Sequence, residues 1–224
     1  MLNNYNKVAM FFLVSFTCMD ASHAGEAVLS KNNSTCGIIR GEPLKSSYGP
    51  FDFLNPAHKE KLPIVLTAHF TPQVERLIRG QSSFNPMSDI HYTLEKIPNY
   101  HRALNSMSKY MLSGRHVSKP MDEFYSAECY FKRALYFRQD DAMARMLFAI
   151  HLHRAGKLNE AEKQYLIVLE QQPDNPELNY NLGLLYVEMG NISKAKEHAE
   201  TAYQLKYPLP GLADKIKKME NSVN

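Results

Sequence analysis

The sequence predicts an all-α fold in which about three helix pairs and a capping helix stack into an array, with an irregular Pro-rich N-terminal segment packed on it. Three observations carry this. The chain repeats itself at an offset of 34 residues: Gly156 matches Gly190, Leu158 matches Ile192, Ala161 matches Ala195 and Leu169 matches Tyr203. After Pro98 the apolar residues recur at helical spacing. The punctuation also changes there, since seven of the twelve prolines fall within residues 25–98 and five within the longer stretch 99–224. The chain therefore divides into 1–24, 25–98 and 99–224.

Residues 1–24 read as a secretory signal. Lys7 precedes the apolar run Val8–Phe16, and Ser22 and Ala24 supply the small residues a signal peptidase needs. Acylation on Cys18 fits poorly, because Phe16 places a ring where a small residue is required. The expectation is an exported, periplasmic protein. Cleavage leaves Cys36 and Cys129. In an oxidising compartment an even count suggests a disulfide, closing a loop of about 90 residues and contributing about 4–5 kcal/mol through chain entropy. Two buried thiols are the alternative. Cys129 lies within a helical pattern with no motif that supplies a neighbouring base, so a nucleophilic role is not expected.

From 25 to 98 regular periodicity is scarce. Ser30–Thr35 is polar, and Tyr48–Pro56 is turn sequence rich in aromatic residues. A short helix is predicted with Thr71 as cap, Pro72 in the first position, Val74, Leu77 and Ile78 on one face and Gly80 as stop. Leu62–Leu66 reads as a short strand or extended piece.

From Asn99, taken as a cap, Tyr100, Leu104, Met107 and Met111 form an apolar stripe, followed by a longer turn containing Gly114 and Pro120. Ala127, Phe131, Ala134 and Leu135 then stand 34 residues before Ala161, Tyr165, Val168 and Leu169. The middle copy carries Gly156, Ala161, Tyr165 and Pro173, and the last carries Gly183, Tyr186, Gly190, Ala195 and Ala202. Leu209, Leu212, Ile216 and Met219 would share the buried face of a capping helix, leaving Asp214, Lys215, Lys217 and Lys218 in solvent.

These small residues and turn glycines resemble the tetratricopeptide-repeat (TPR) family over residues 99–220, with departures at Arg145, where Trp is typical, and Ala149, where Gly is typical. The resemblance implies a helix-turn-helix superhelix that binds a protein partner on the concave face lined by the first helix of each pair. Projected onto this chain, that face holds Met143, Met146, Ile150, His153 and Arg154, then Glu177, Tyr180, Asn181, Leu184, Val187 and Glu188. Chaperone-binding members clamp a terminal carboxylate there with Lys, Asn and Arg. Met146, Ile150 and Glu177 occupy those slots and only Asn181 matches, so no such clamp is expected. Either a partner's apolar helix fills the groove, or residues 36–98 fold back into it, an outcome that a Cys36–Cys129 bond would favour.

No residue set announces chemistry. His151 and His153 diverge by roughly 200° on a helix, so they cannot chelate together. Ser106 and Lys109 have Ser-x-x-Lys spacing without its companion motifs. There is no Gly-rich phosphate loop. Neither a catalytic residue, a metal nor a cofactor is predicted. With 26 basic against 23 acidic residues and no long basic run, nucleic acid is not an expected partner, and no 18-residue apolar stretch predicts a membrane span. The expected function is a non-catalytic interaction or scaffold module in a bacterial cell-envelope assembly. The alternative is an envelope ligand- or metal-binding protein or enzyme, with a site between the N-terminal segment and the first repeat formed by His69, Asp89, Tyr92, His101 and Arg102. Glycosylation sequons at Asn32, Asn33 and Asn191 would bear only on a eukaryotic origin.

Overall fold

The structure, a computed structural model, describes residues 35–114 and 124–223. The signal at 1–24, the sequons at Asn32 and Asn33, and Pro120 lie outside the described residues. After a 3-10 turn over Pro56–Lys61 come α1 (Leu62–His69), α2 (Pro72–Glu75), α3 (Pro86–Lys96), α4 (His101–Leu112) and α5 (Ala127–Phe137). They are followed by α6 (Ala142–Arg154), α7 (Leu158–Gln171), α8 (Pro176–Glu188), α9 (Ile192–Gln204) and α10 (Gly211–Val223).

Helices α4/α5, α6/α7 and α8/α9 pack as pairs, and α4, α6, α8 and α10 lie side by side in one row. Each second helix also rests on the next first helix: α5 on α6, α7 on α8 and α9 on α10. This is the predicted all-α repeat superhelix, in which each unit buries its apolar face against its neighbours.

Local chemistry fixes the boundaries. Asp141, Asn175 and Asn191 each accept a hydrogen bond from the third residue of α6, α8 and α9 (Ala144 N, Leu178 N and Lys194 N). Gly156 and Gly190 end the first helices of the two later pairs at φ +76° and +75°, a left-handed turn that a side chain would strain. Between helices, Ala134, Ala149, Ala161, Ala195 and Ala202 are fully buried and let backbones approach, while Tyr130, Tyr165, Tyr186 and Phe131 fill the space around them.

The N-terminal segment is irregular over 35–55 and 76–85 but contributes α1 and α2 between these stretches and α3 after them. Leu62–Leu66 is not a strand; it forms most of α1, with Leu62 and Val65 buried one turn apart and Ile64 exposed, against α3. The helix begun at Thr71 is shorter than predicted. It stops at Glu75, Leu77 takes a positive φ and packs part-buried against the core, and Ile78 is exposed, so of the predicted face only Val74 is fully buried. Helix α3, not among the elements expected from the sequence, has a clear signal in it: Asn85 caps, Pro86 follows, and Met87, Ile90, Leu94 and Ile97 line one buried face. It packs on α4 and extends the stack by another layer.

Two further expectations shift. Asn99 does not cap α4, whose flanking residue is Tyr100; its amide is fully buried and bonded elsewhere, as described below. Leu209 precedes α10 and is exposed, so the buried face of the cap begins at Leu212 and continues through Ile216.

Candidate partner-binding face

Helices α6 and α8 set their outward residues side by side. Met143 is exposed, while Ile150, Leu184 and Val187 are half-buried along the same pair. Arg154, Glu177 and Glu188 are exposed at the margins. His153 Nε2 on α6 lies 3.2 Å from Glu188 Oε2 on α8 and bridges the two helices. Burial holds the His153 imidazole below its ordinary pKa, while Glu188 pulls the other way. Beneath, the Tyr165 hydroxyl is fully buried without a hydrogen-bond partner among the described residues, and burial raises its pKa. The face offers apolar contact area with a charged rim, a composition suited to a protein surface.

Two of the projected residues do not open to solvent there, and a third is tied to its own helix. Met146 is buried in the core. Tyr180 is buried and stacks on Tyr207, in the linker before α10, at 4.4 Å between ring centroids. Asn181 is half-buried and donates to Glu177 O of its own helix. His151 points away from the face, as its spacing from His153 requires. It is buried and shares a 2.8 Å hydrogen bond with Ser108 Oγ of α4.

The N-terminal segment is clasped to the first pair. Cys36 and Cys129 form a disulfide, Arg133 Nη1 donates to Cys36 O, and the Tyr136 hydroxyl contacts Ile39 O and Glu42 O. Arg138 Nη1 lies 2.6 Å from Asp52 Oδ2, and the Asn99 side chain accepts from Phe53 N while donating to Asp52 and Asp141. Among the described residues, no hydrogen bond, ion pair or ring contact joins residues 35–98 to a side chain on α6 or α8. The segment covers α5 and the α3–α4 junction instead.

The five residues of the alternative site separate into three places. His69 Nδ1 lies 2.9 Å from Asp89 Oδ1, and its ring stacks on Tyr92 at 4.1 Å. Asp89 is fully buried and also accepts from Gln81 N, Ser82 N and Ser82 Oγ; burial opposes its ionisation, but these bonds and His69 hold its pKa below the usual carboxylate value. His101 Nε2 instead meets Asp141 at 2.8 Å, and Arg102 pairs with Glu75. Among the described residues no group of His, Cys, Asp or Glu side chains is arranged to hold a metal ion, and no helix is long and apolar enough to cross a membrane.

Sequence reasoning overlooked Lys96, Ser46 and Ser47, which meet at the end of α3, and the carboxylate of Asp141. Asp141 carried a readable signal, since Asp directly before an apolar-periodic stretch is an N-cap pattern. Nothing local marks the contact of Lys96 with residues about fifty positions away.

A family model described as TPR repeat matches residues 152–190, which run from the end of α6 through the turn after α8. Anaphase-promoting complex subunit CDC16 of Saccharomyces cerevisiae is 36% identical over 92 residues, covering 38% of this chain and 11% of that protein. The chain thus spans a small part of the length of that relative.

Proposed function

We propose that this tetratricopeptide-repeat chain is an exported, non-catalytic scaffold that docks a protein partner on the face formed by α6 and α8, within a bacterial cell-envelope assembly. Tetratricopeptide repeats are interaction modules, and the fold and repeat match give the coarse function directly. The observation that carries the finer reading is the state of the face itself. Met143, Ile150, Leu184 and Val187 form a partly exposed apolar strip beside Arg154 and Glu188, while the clasped N-terminal segment packs elsewhere. An apolar strip with a charged margin favours burial by a partner helix. The similarity to a protein named as a subunit of a complex supports an assembly role. Export is supported by the N-terminal signal pattern and by a disulfide of the kind that persists in oxidising compartments.

The test is in-cell photocrosslinking from position 184, with a photoreactive phenylalanine replacing Leu184, followed by mass spectrometry. Tyr180 is a poor probe because it is covered by Tyr207. Crosslinks to one discrete polypeptide, reduced by Met143→Asp, are the expected result. Crosslinks confined to residues 36–98 of the same chain would overturn the docking reading. Cell fractionation with N-terminal sequencing of the mature protein checks export, with Gly25 expected as the first residue.

A further inference from the structure

Lys96, the last residue of α3, is only 5% exposed. Its Nζ lies 3.0 Å from Ser46 Oγ and 3.1 Å from Ser47 Oγ, and 4.9 Å from the centroid of the Tyr92 ring. Among the described residues no Asp or Glu oxygen comes within 4.0 Å of it. A buried ammonium is costly unless an anion answers it. The carbonyl end of α3 favours a cation, but an exposed lysine would serve that purpose equally, so the helix end does not explain the burial.

The hydroxyls around Lys96 divide their roles. Ser46 Oγ accepts from the ammonium and commits its own hydrogen to Tyr48 O at 3.1 Å. Ser47 Oγ also accepts from the ammonium, but its hydrogen has no acceptor among the described residues, and Ser47 is exposed. Ser47 O–H and the third N–H of Lys96 therefore stand as two neighbouring donors beside the partly exposed ring of Tyr92. Two adjacent donors, one of them charged, match the two oxygens of a carboxylate. The single ammonium of Lys96 suits a monoanion better than a phosphate dianion.

We propose that Ser47 and Lys96 form a binding site for a carboxylate, whether a small free acid or an acidic side chain of a protein partner. The site lies on the α3 layer, apart from α6 and α8, so its failure would leave the docking face untouched.

The test titrates the full-length mature chain with sodium acetate, against sodium chloride at equal ionic strength, and separately with an acetylated hexaglutamate peptide. The readouts are the amide resonances of Ser46, Ser47 and Lys96 and the thermal midpoint. Saturable shifts centred on these residues, with a raised midpoint, are expected for at least one probe. Lys96→Met should weaken binding at least tenfold, and Ser47→Ala, at an exposed position that leaves the fold intact, should weaken it severalfold. Comparable saturation by acetate and peptide identifies a small free acid, and peptide binding at least tenfold tighter identifies an acidic protein segment. The proposal is overturned if neither probe saturates, or if the wild type and Ser47→Ala respond alike. The second comparison holds even if Lys96→Met fails to fold.

Discussion

Leu212 of the capping helix seats its side chain on Gly183 of α8, so closely that a Cβ added at Gly183 would stand 2.4 Å from Leu212 Cδ2. Both residues are buried, and Leu212 is fully so. The glycine at this point of the repeat is what lets α10 cover the last pair.

Gly183→Ala should therefore destabilise the protein. Overpacking of this kind costs about 1–3 kcal/mol, against a helix-propensity gain of up to about 1 kcal/mol. The expected net loss in urea unfolding is on the order of 1 kcal/mol. In a Leu212→Ala background the clash is gone, and the same substitution should become neutral or stabilising. An unchanged cost in the two backgrounds would mean that Leu212 is not the residue that Gly183 accommodates.

The disulfide between Cys36 and Cys129 spans a sequence separation of 93 and fastens the irregular segment to α5. Cys129→Ser should lower stability by about 2–5 kcal/mol, chiefly by releasing the unfolded chain from a long loop. The chain beginning at Gly25, unfolded without reductant, should give no reaction with a thiol reagent; two reactive thiols would contradict the bond.

His151 sets an acid limit. Burial lowers its pKa from 6.5 to about 4. In the unfolded chain the same group binds a proton near pH 6.5, so between about pH 6.5 and 4 the unfolded state holds the extra proton and stability falls as pH falls. Through this window the loss should reach on the order of 3 kcal/mol. His151→Gln, which can still meet Ser108, should flatten that slope at some cost in stability at pH 7. Asp89, whose folded pKa is depressed, acts at lower pH: its contribution is present above the ordinary carboxylate value and is lost as the pH drops through the folded one. Equilibrium unfolding followed from pH 7 down to about pH 2 separates the two windows.

How much of this was legible depended on whether the deciding contacts were local. Gly156, Gly190, Ala161 and Ala195 announced the repeat because turn geometry and close helix approach are set within one 34-residue unit. Leu62–Leu66 misled because Ile64 and Val65 are β-branched and favour strands in isolation, whereas packing of Leu62 and Val65 on α3 decided for helix. Met87, Ile90 and Leu94 carried a full helical period that the surrounding prolines obscured. Among the site residues, His153 could be placed on the outward face from its position in the repeat, and the structure adds Glu188 as its neighbour. Tyr180 occupies an equivalent outward position, but Tyr207 covers it from a linker whose path no periodicity reveals. Asn99 looked like a cap because Asn so often is one. Its actual partners, Phe53, Asp52 and Asp141, lie more than forty residues away on either side.

Asp141 makes the start of the array indivisible. One fully buried carboxylate caps α6 through Ala144 N, accepts from Asn99 at the entry to α4, and holds His101. Beyond it, α8, α9 and α10 are joined to their neighbours by packing and by pairwise contacts such as His153–Glu188, His198–Asn179 and Lys196–Glu220, all of the nearest-neighbour kind, which lets a repeat array open unit by unit from an end. Amide exchange should therefore progress inward from α10 with graded protection and halt at α6. Past that point the clasped segment, α4 and the head of α6 can only be released together, as one cooperative block.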